Sequence, residues 1–236
     1  MILVIARGKE QVADYFSRTP PFPDGLNDES LDALVDSVTS LANRLEVVTV
    51  YQDNPRGLGH AVLTAREAVG DEPFALMLPD DHFIPRPLGS LVEAHVETGL
   101  ASVLLRPVPQ QMCARYGIAA SRNLDATPLI LSGMVEKPAA GTEPSNLAIM
   151  GRYVFPAAIM DLLENQPPGV GGEIQITDAM NKLAAREGMV GVVQESTYLD
   201  LGTWEGYVLA NTYQGLQDPE LAPRLKKLLA EHSDEG

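Results

Sequence analysis

Through the first 105 residues short apolar runs alternate with stretches of helical spacing, and this alternation limits the fold more than any other feature. Met1 to Ala6 and Leu45 to Tyr51 read as strands, the second rich in β-branched residues. Between them, Gly8 to Phe16 reads as a helix with Val12 and Phe16 on one side. A loop with Pro20, Pro21, Pro23 and Gly25 follows, and then Leu31, Leu34, Val35, Val38 and Leu41 recur at helical spacing. The loop Gln52 to Gly59 opens a helix from His60 to Val69, in which Ala61, Ala65 and Ala68 favour helix formation. Leu76 to Leu78 gives a third strand, Leu88 to Thr98 a helix and Ala101 to Leu105 a fourth strand. Such a chain builds an α/β fold around a Rossmann-like, mostly parallel, doubly wound sheet.

The third strand ends abruptly in Pro79-Asp80-Asp81. Proline cannot donate to a ladder, so pairing is expected to stop there. Buried strands of open α/β sheets deliver ligand-binding groups from their carboxyl ends, where acids can hold a divalent cation against a substrate. An Asp-rich polar turn is the alternative.

From Tyr116 the texture changes to an insert-like α+β pattern, with extended segments around Gly117 to Ala120, Leu129 to Glu136 and Ala148 to Phe155. Helices return at Ala157 to Glu164 and Glu173 to Glu187, short strands at Val190 to Val193 and Thr197 to Asp200. Thr203 can cap a helix running to about Leu216. A Lys/Arg-bearing helix after Pro219 reads as a surface or oligomer-contact element.

Charge narrows the partners. A formal charge of -15 and a pI near 4.6 argue against nucleic acid or an anionic membrane. An acidic protein that takes phosphorylated metabolites needs a few placed cations or a metal ion. Cys113 is the single cysteine, so no internal disulfide forms, which fits a reducing cytoplasm. The apolar start, Met1 to Ala6, is too short for a signal-peptide core or a membrane span.

Four further places carry chemistry. Gly57-Leu58-Gly59-His60 lies between strand and helix, where glycine admits close ligand approach and a helix start offers N–H groups; an empty tight turn is the alternative. In Glu136-Lys137-Pro138 the carboxylate can accept from hydroxyls and the ammonium can meet a phosphate. A kink before Pro138 is needed to bring both to one side, and otherwise they form an exposed strand-end pair. Gly169 to Glu173 leaves room for a bulky ligand, with Glu173 or Asp178 as hydroxyl acceptors, or is a plain linker. Asp200, at a strand end, is a second carboxylate or a turn residue. His60, His82, His95 and His232 show no ligand or triad spacing, and only His82 stands beside the acids. No G-x-S-x-G elbow is present.

In order, Gln52-Asp53-Asn54-Pro55-Arg56-Gly57-Leu58-Gly59-His60-Ala61-Val62, Leu78-Pro79-Asp80-Asp81, Tyr116-Gly117, Val135-Glu136-Lys137-Pro138, Pro144 to Val154 and Gly172-Glu173-Ile174-Gln175-Ile176-Thr177-Asp178-Ala179 resemble the bacterial UTP:glucose-1-phosphate uridylyltransferases. The resemblance runs from Ile2 to about Gln214. It implies a nucleotidyltransferase domain over residues 1–216, with a nucleotide-side core at 1–110, a sugar-binding part at 111–200, and a helical tail at 217–236. It implies formation of UDP-glucose and pyrophosphate from UTP and glucose 1-phosphate, in the cytoplasm, by a homo-oligomer or by pairing with a full-length subunit. Asp80 and Asp200 would hold Mg2+, and Gln52 and Gly57 would meet the uracil. Tyr116, Gly117 and Glu136 would face the glucose, Lys137 its phosphate, and Glu173 would support the sugar. The family's G-x-G-T-R-x-x-P loop and P-K-E segment do not occur in this sequence. The expectation is therefore a form lacking the first strand, truncated and impaired in turnover, or a non-catalytic sugar-phosphate-binding or regulatory paralogue.

Overall fold

The computed structural model describes residues 1–16 and 29–232. The loop with Pro20, Pro21, Pro23 and Gly25, the side chains of Leu31 and Leu34, and the end of the tail lie outside the described residues. The chain forms two compact units, Met1–Phe74 with Phe155–Glu187, and Ala75–Val154 with Gly188–Gly236.

In the first unit β1 (Ile2–Ile5) pairs in parallel with β2 (Val48–Tyr51), from Ile2 opposite Val48 to Ile5 opposite Tyr51. α1 (Gln11–Asp14) and α2 (Glu29–Asn43) lie in the crossover that parallel pairing demands. α1 is one turn long and Val12 is exposed, so the helix expected over Gly8 to Phe16 is mostly turn. The expected helix His60 to Val69 is two, α3 (Leu58–Thr64) and α4 (Arg66–Val69), because Ala65 leaves helical geometry at φ -83°, ψ 0°. α6 (Ile159–Glu164) and α7 (Ile176–Arg186) complete the unit. Ile176, Ala179, Met180 and Leu183 recur on one face of α7 and are buried, as are Ile159, Met160 and Leu163 of α6 against it. α7 begins at Ile176 rather than Glu173: Gly171 and Gly172 adopt φ of 74° and 76°, and Glu173 is extended.

The second unit holds a sheet ordered β7-β10-β5-β9-β6-β8, with β3 also paired to β9. Its strands are β3 (Phe74–Met77), β5 (Ala101–Pro107), β6 (Gly117–Ala120), β7 (Leu129–Ile130), β8 (Gly133–Glu136), β9 (Leu147–Phe155) and β10 (Met189–Val193). β5 and β10 are parallel, whereas β6, β7, β8 and β9 add antiparallel ladders, giving a mixed α/β fold. Ala101 to Leu105 are all buried, as a central strand covered on both faces requires. α5 (Leu88–Thr98) packs on β5, where the buried Ser102 hydroxyl donates to Leu91 O at 2.8 Å.

Pairing of β3 stops before Pro79, but the chain re-enters a ladder two residues later. β4 (Asp81–Ile84) runs antiparallel to β11 (Thr197–Asp200), with Asp81 opposite Asp200. α8 (Trp204–Gln217) follows, its start capped by the Thr203 hydroxyl, which accepts from Gly206 N at 3.1 Å. α9 (Leu221–His232) packs on α8. Among the described residues no helix is long and apolar enough to cross a membrane.

Candidate active site

A bend between β3 and β4 sets the two acids. Leu78 N donates to Gly151 O at 2.9 Å. The Arg152 guanidinium donates to Leu78 O at 2.6 Å, to Gly151 O at 2.9 Å and to Asp81 O, stapling the bend through carbonyls rather than carboxylates. Leu201 N donates to Asp80 O at 2.8 Å, tying the bend to the end of β11.

Asp80 lies in the turn and Asp81 opens β4, and their carboxylates have different surroundings. Asp81 is half-buried and its Oδ1 accepts from the Tyr198 hydroxyl at 2.7 Å, while its Oδ2 lies over the Cα of Gly151, where a Cβ would overlap it. Burial pushes its carboxyl up; the Tyr198 hydroxyl offsets part of this and the neighbouring Asp80 charge adds to it. Burial first, then the bond to Asp81, push the Tyr198 phenol up, so it stays a donor.

Asp80 is exposed, and its carboxylate has no hydrogen-bond partner among the described residues. Its Oδ2 and Asp200 Oδ1 both come close to Gly202: a Cβ there would lie 2.9 Å from the first and 3.1 Å from the second. Gly202 N donates to Asp200 Oδ1 at 2.9 Å, orienting that carboxylate. Two hard oxygen donors around a space kept empty by a glycine fit a divalent cation such as Mg2+, which takes one or two carboxylates and fills its shell with water and phosphate oxygens. Among the described residues no group of three or more His, Cys, Asp or Glu side chains is arranged to hold a metal ion.

Tyr116, Gly117, Glu136 and Lys137 come together at the paired ends of β6 and β8. Gly117 is opposite Glu136, and Lys137 N donates to Tyr116 O at 3.0 Å. Lys137 has φ 45°, the left-handed region that non-glycine residues seldom enter. Lys137 Nζ, on a largely exposed side chain, lies 4.0 Å from Glu136 Oε1. The buried Tyr153 ring connects this group to the acids, since its phenol feels the charges of Asp81, Glu136 and Arg152, although burial dominates in pushing it up. Tyr116 and Tyr198 pack at the margin of one buried cluster that includes Phe83, Ile118 and Met150.

Gln52, Gly57 and Glu173 belong to the first unit. Gly57 has φ 97°, and a Cβ on it would lie 2.9 Å from Glu173 Cβ and 3.0 Å from Ile174 O, so no other residue fits. The helix-start N–H of Gly59 is not open to a ligand as expected; it donates to Ile174 O at 2.9 Å, and Ile174 N donates to Arg56 O at 2.7 Å. Glu173 accepts from Gln175 Nε2 at 3.0 Å. Gln52 Nε2 lies 3.3 Å from Gly57 O and 2.8 Å from His60 Nδ1.

Sequence reasoning passed over Arg152, Tyr198 and His60. Tyr198 stands two residues before Asp200 on one strand face, a signal that the period of two makes readable. His82, singled out beside the acids, instead meets Gln214 of α8 at 3.0 Å.

The chain is similar to known proteins over most of its length. The model of the nucleotidyl transferase family matches residues 21–215. The UTP–glucose-1-phosphate uridylyltransferase of Bacillus subtilis (strain 168) is 35% identical over 227 residues, 95% of this chain and 78% of that protein. Among solved structures, the UTP-bound UGPase from Acinetobacter baumannii superposes with a TM-score of 0.86 at 33% identity, covering 98% of this chain and 82% of that one. A UDP-glucose pyrophosphorylase complexed with UDP-glucose gives 0.79 at 30% identity, with 91% and 80% covered.

Proposed function

Because the chain belongs to the nucleotidyl transferase family, among the UTP–glucose-1-phosphate uridylyltransferases, we propose that its site serves UDP-glucose formation. In that reaction an oxygen of glucose 1-phosphate attacks the α-phosphorus of UTP, a P–O bond forms, and the bond to pyrophosphate breaks. The observation that carries this reading is the convergence of Asp80 Oδ2 and Asp200 Oδ1 on the space above Gly202. Mg2+ held there neutralises phosphate charge as a Lewis acid.

The side chains divide the remaining work. The Lys137 ammonium meets the sugar phosphate, held near Glu136 so that acceptor and cation arrive together. Glu136, Tyr116 and the backbone of Gly117 meet glucose hydroxyls. Gln52 and Gly57 meet the uracil, and Glu173 accepts from ligand hydroxyls. Asp81 is structural: Tyr198 donates to its Oδ1, and its Oδ2 occupies the space that a side chain on Gly151 would need. The sequence holds no G-x-G-T-R-x-x-P string and no P-K-E string, so this stretch of 236 residues is expected to bind its ligands better than it turns them over. We assign the exposed apolar side chains of α8 and α9, including Trp204, Leu209, Leu228 and Leu229, to contact with another copy in a cytoplasmic homo-oligomer.

Calorimetry with glucose 1-phosphate and Mg2+ tests the assignment. Lys137→Ala is expected to weaken binding about tenfold or more, since a hydrogen bond to a charged group is worth ~1.5–3 kcal/mol. Unchanged affinity removes Lys137 from the site. A pyrophosphate-release assay with UTP, glucose 1-phosphate and Mg2+ reads turnover, and robust turnover by this stretch alone contradicts the expected impairment.

A further inference from the structure

The Gln52 amide has only one orientation that its neighbours allow. Gly57 O lies 3.3 Å from the amide nitrogen, and a carbonyl only accepts, so the NH2 group faces Gly57. That same NH2 lies 2.8 Å from His60 Nδ1, which must then offer a lone pair. The ring is therefore the neutral tautomer with its proton on Nε2. Both amide hydrogens are engaged, while Oε1 accepts from none of the described residues. Gln52 and His60 line an open pocket of about 490 Å³ together with Asp53, Asn54 and Arg56.

We propose that His60 is a positioning residue that sets base choice: by holding the Gln52 NH2 it leaves the amide oxygen as the group shown to the base. An exposed acceptor takes a pyrimidine that carries an imide N–H, as uracil does. It turns away one that presents a ring lone pair at the same position, as cytosine does. This rests on the uridylyl-transfer reading above.

The ring's charge state is part of the device. A proton on Nδ1 would set two donors against each other at the present 2.8 Å contact. Gly57 O would then still call for the amide NH2 while the ring called for Oε1, so the amide would lose its single orientation and no longer hold Oε1 toward the base. Burial, and secondarily the Arg56 charge, hold His60 below the ordinary imidazole value, so the ring stays neutral at neutral pH. Asp53 and Tyr51 line the same pocket, and Asp53 is paired with Arg7 at 2.6 Å. Of the elements packed on α3, β1 carries no titratable side chain. Arg66 of α4 pairs with Asp161 and Glu164 of α6, α4 also carries Glu67, and α7 carries Asp178, Lys182 and Arg186.

The test is calorimetric titration of UDP-glucose and CDP-glucose into the full chain with Mg2+, at about pH 8 and about pH 5, either side of the ordinary imidazole value. His60→Asn supplies an acceptor that does not titrate; His60→Ala supplies none. The wild type is expected to prefer the uridine nucleotide at the higher pH and to lose that preference progressively as the ring gains its proton, by about tenfold once it is fully charged, the scale of one mismatched buried hydrogen bond. His60→Asn should keep its preference at both, and His60→Ala should lose it at both. The wild-type pH dependence in His60→Asn, or the wild-type preference at about pH 8 in His60→Ala, overturns the proposal. So does nitrogen NMR of the ligand-free protein showing the proton on Nδ1 at about pH 8. A wild type that binds neither sugar nucleotide overturns the uridylyl-transfer reading and this proposal with it, whereas uridine-selective binding independent of His60 overturns this proposal alone.

Discussion

At residue 137 stability and chemistry pull in opposite directions. A left-handed non-glycine residue costs ~1–2 kcal/mol, and glycine gives back ~0.5–1 through its greater freedom in the unfolded chain. Lys137→Gly is thus expected to raise stability by about 0.5 kcal/mol in denaturant melts while weakening glucose 1-phosphate binding as Lys137→Ala does. Gly202→Ala separates the two properties at the carboxylates. Its methyl would fill the point flanked by Asp80 Oδ2 and Asp200 Oδ1, so Mg2+-dependent nucleotide affinity should fall about tenfold or more, with stability held within about 1 kcal/mol. Equal affinities with and without the methyl would move the cation elsewhere. Asp80 and Asp200 were legible because a carboxylate at a strand end is a local feature of sequence. The grip of Tyr198 on Asp81 and of His60 on Gln52 was not: the first depends on which residue of β11 faces β4, the second on how a loop folds back on its helix.

Elements explain where reading by pattern succeeds and where it slips. The strands β5 and β9 follow their apolar patterns closely because both are largely buried, and the start of α8 was readable from its Thr203 cap. The start of α7 was placed at Glu173, three residues early, because nothing local shows that the chain stays extended at Glu173 after two glycines with positive φ. β4 was missed because Pro79 announces an ending and nothing local announces that pairing resumes with a strand more than a hundred residues away. Thr203 links element stability to the site, since it caps α8 directly after the Asp200–Gly202 turn. Thr203→Ala should cost about 1 kcal/mol in thermal melts and weaken Mg2+-dependent binding as the turn loosens, whereas Thr203→Ser should retain both. A full cap effect on melting with untouched binding would uncouple the helix start from Asp200.

On the scale of the molecule, the parallel pairing, the helical alternation and the antiparallel strands after Tyr116 were readable, whereas the division into two interleaved units was not. Contiguous stretches are what a sequence displays, and each unit here is assembled from two separated stretches. The exposed apolar side chains of α8 and α9, with Trp204 at 80% and Leu209 at 54% exposure, lead us to expect self-association in sedimentation velocity at micromolar protein, reduced by Leu209→Lys. A monomer at every concentration tested would remove those helices from any interface. The left-handed backbone at Lys137 also has a consequence over evolutionary time. Selection for stability alone favours glycine or asparagine at that position, whereas a use for the ammonium, such as the phosphate contact proposed above, would oppose drift. Position 137 is accordingly a gauge for any related chain: a lineage that has abandoned phosphate chemistry should show glycine or asparagine there, and this one shows lysine.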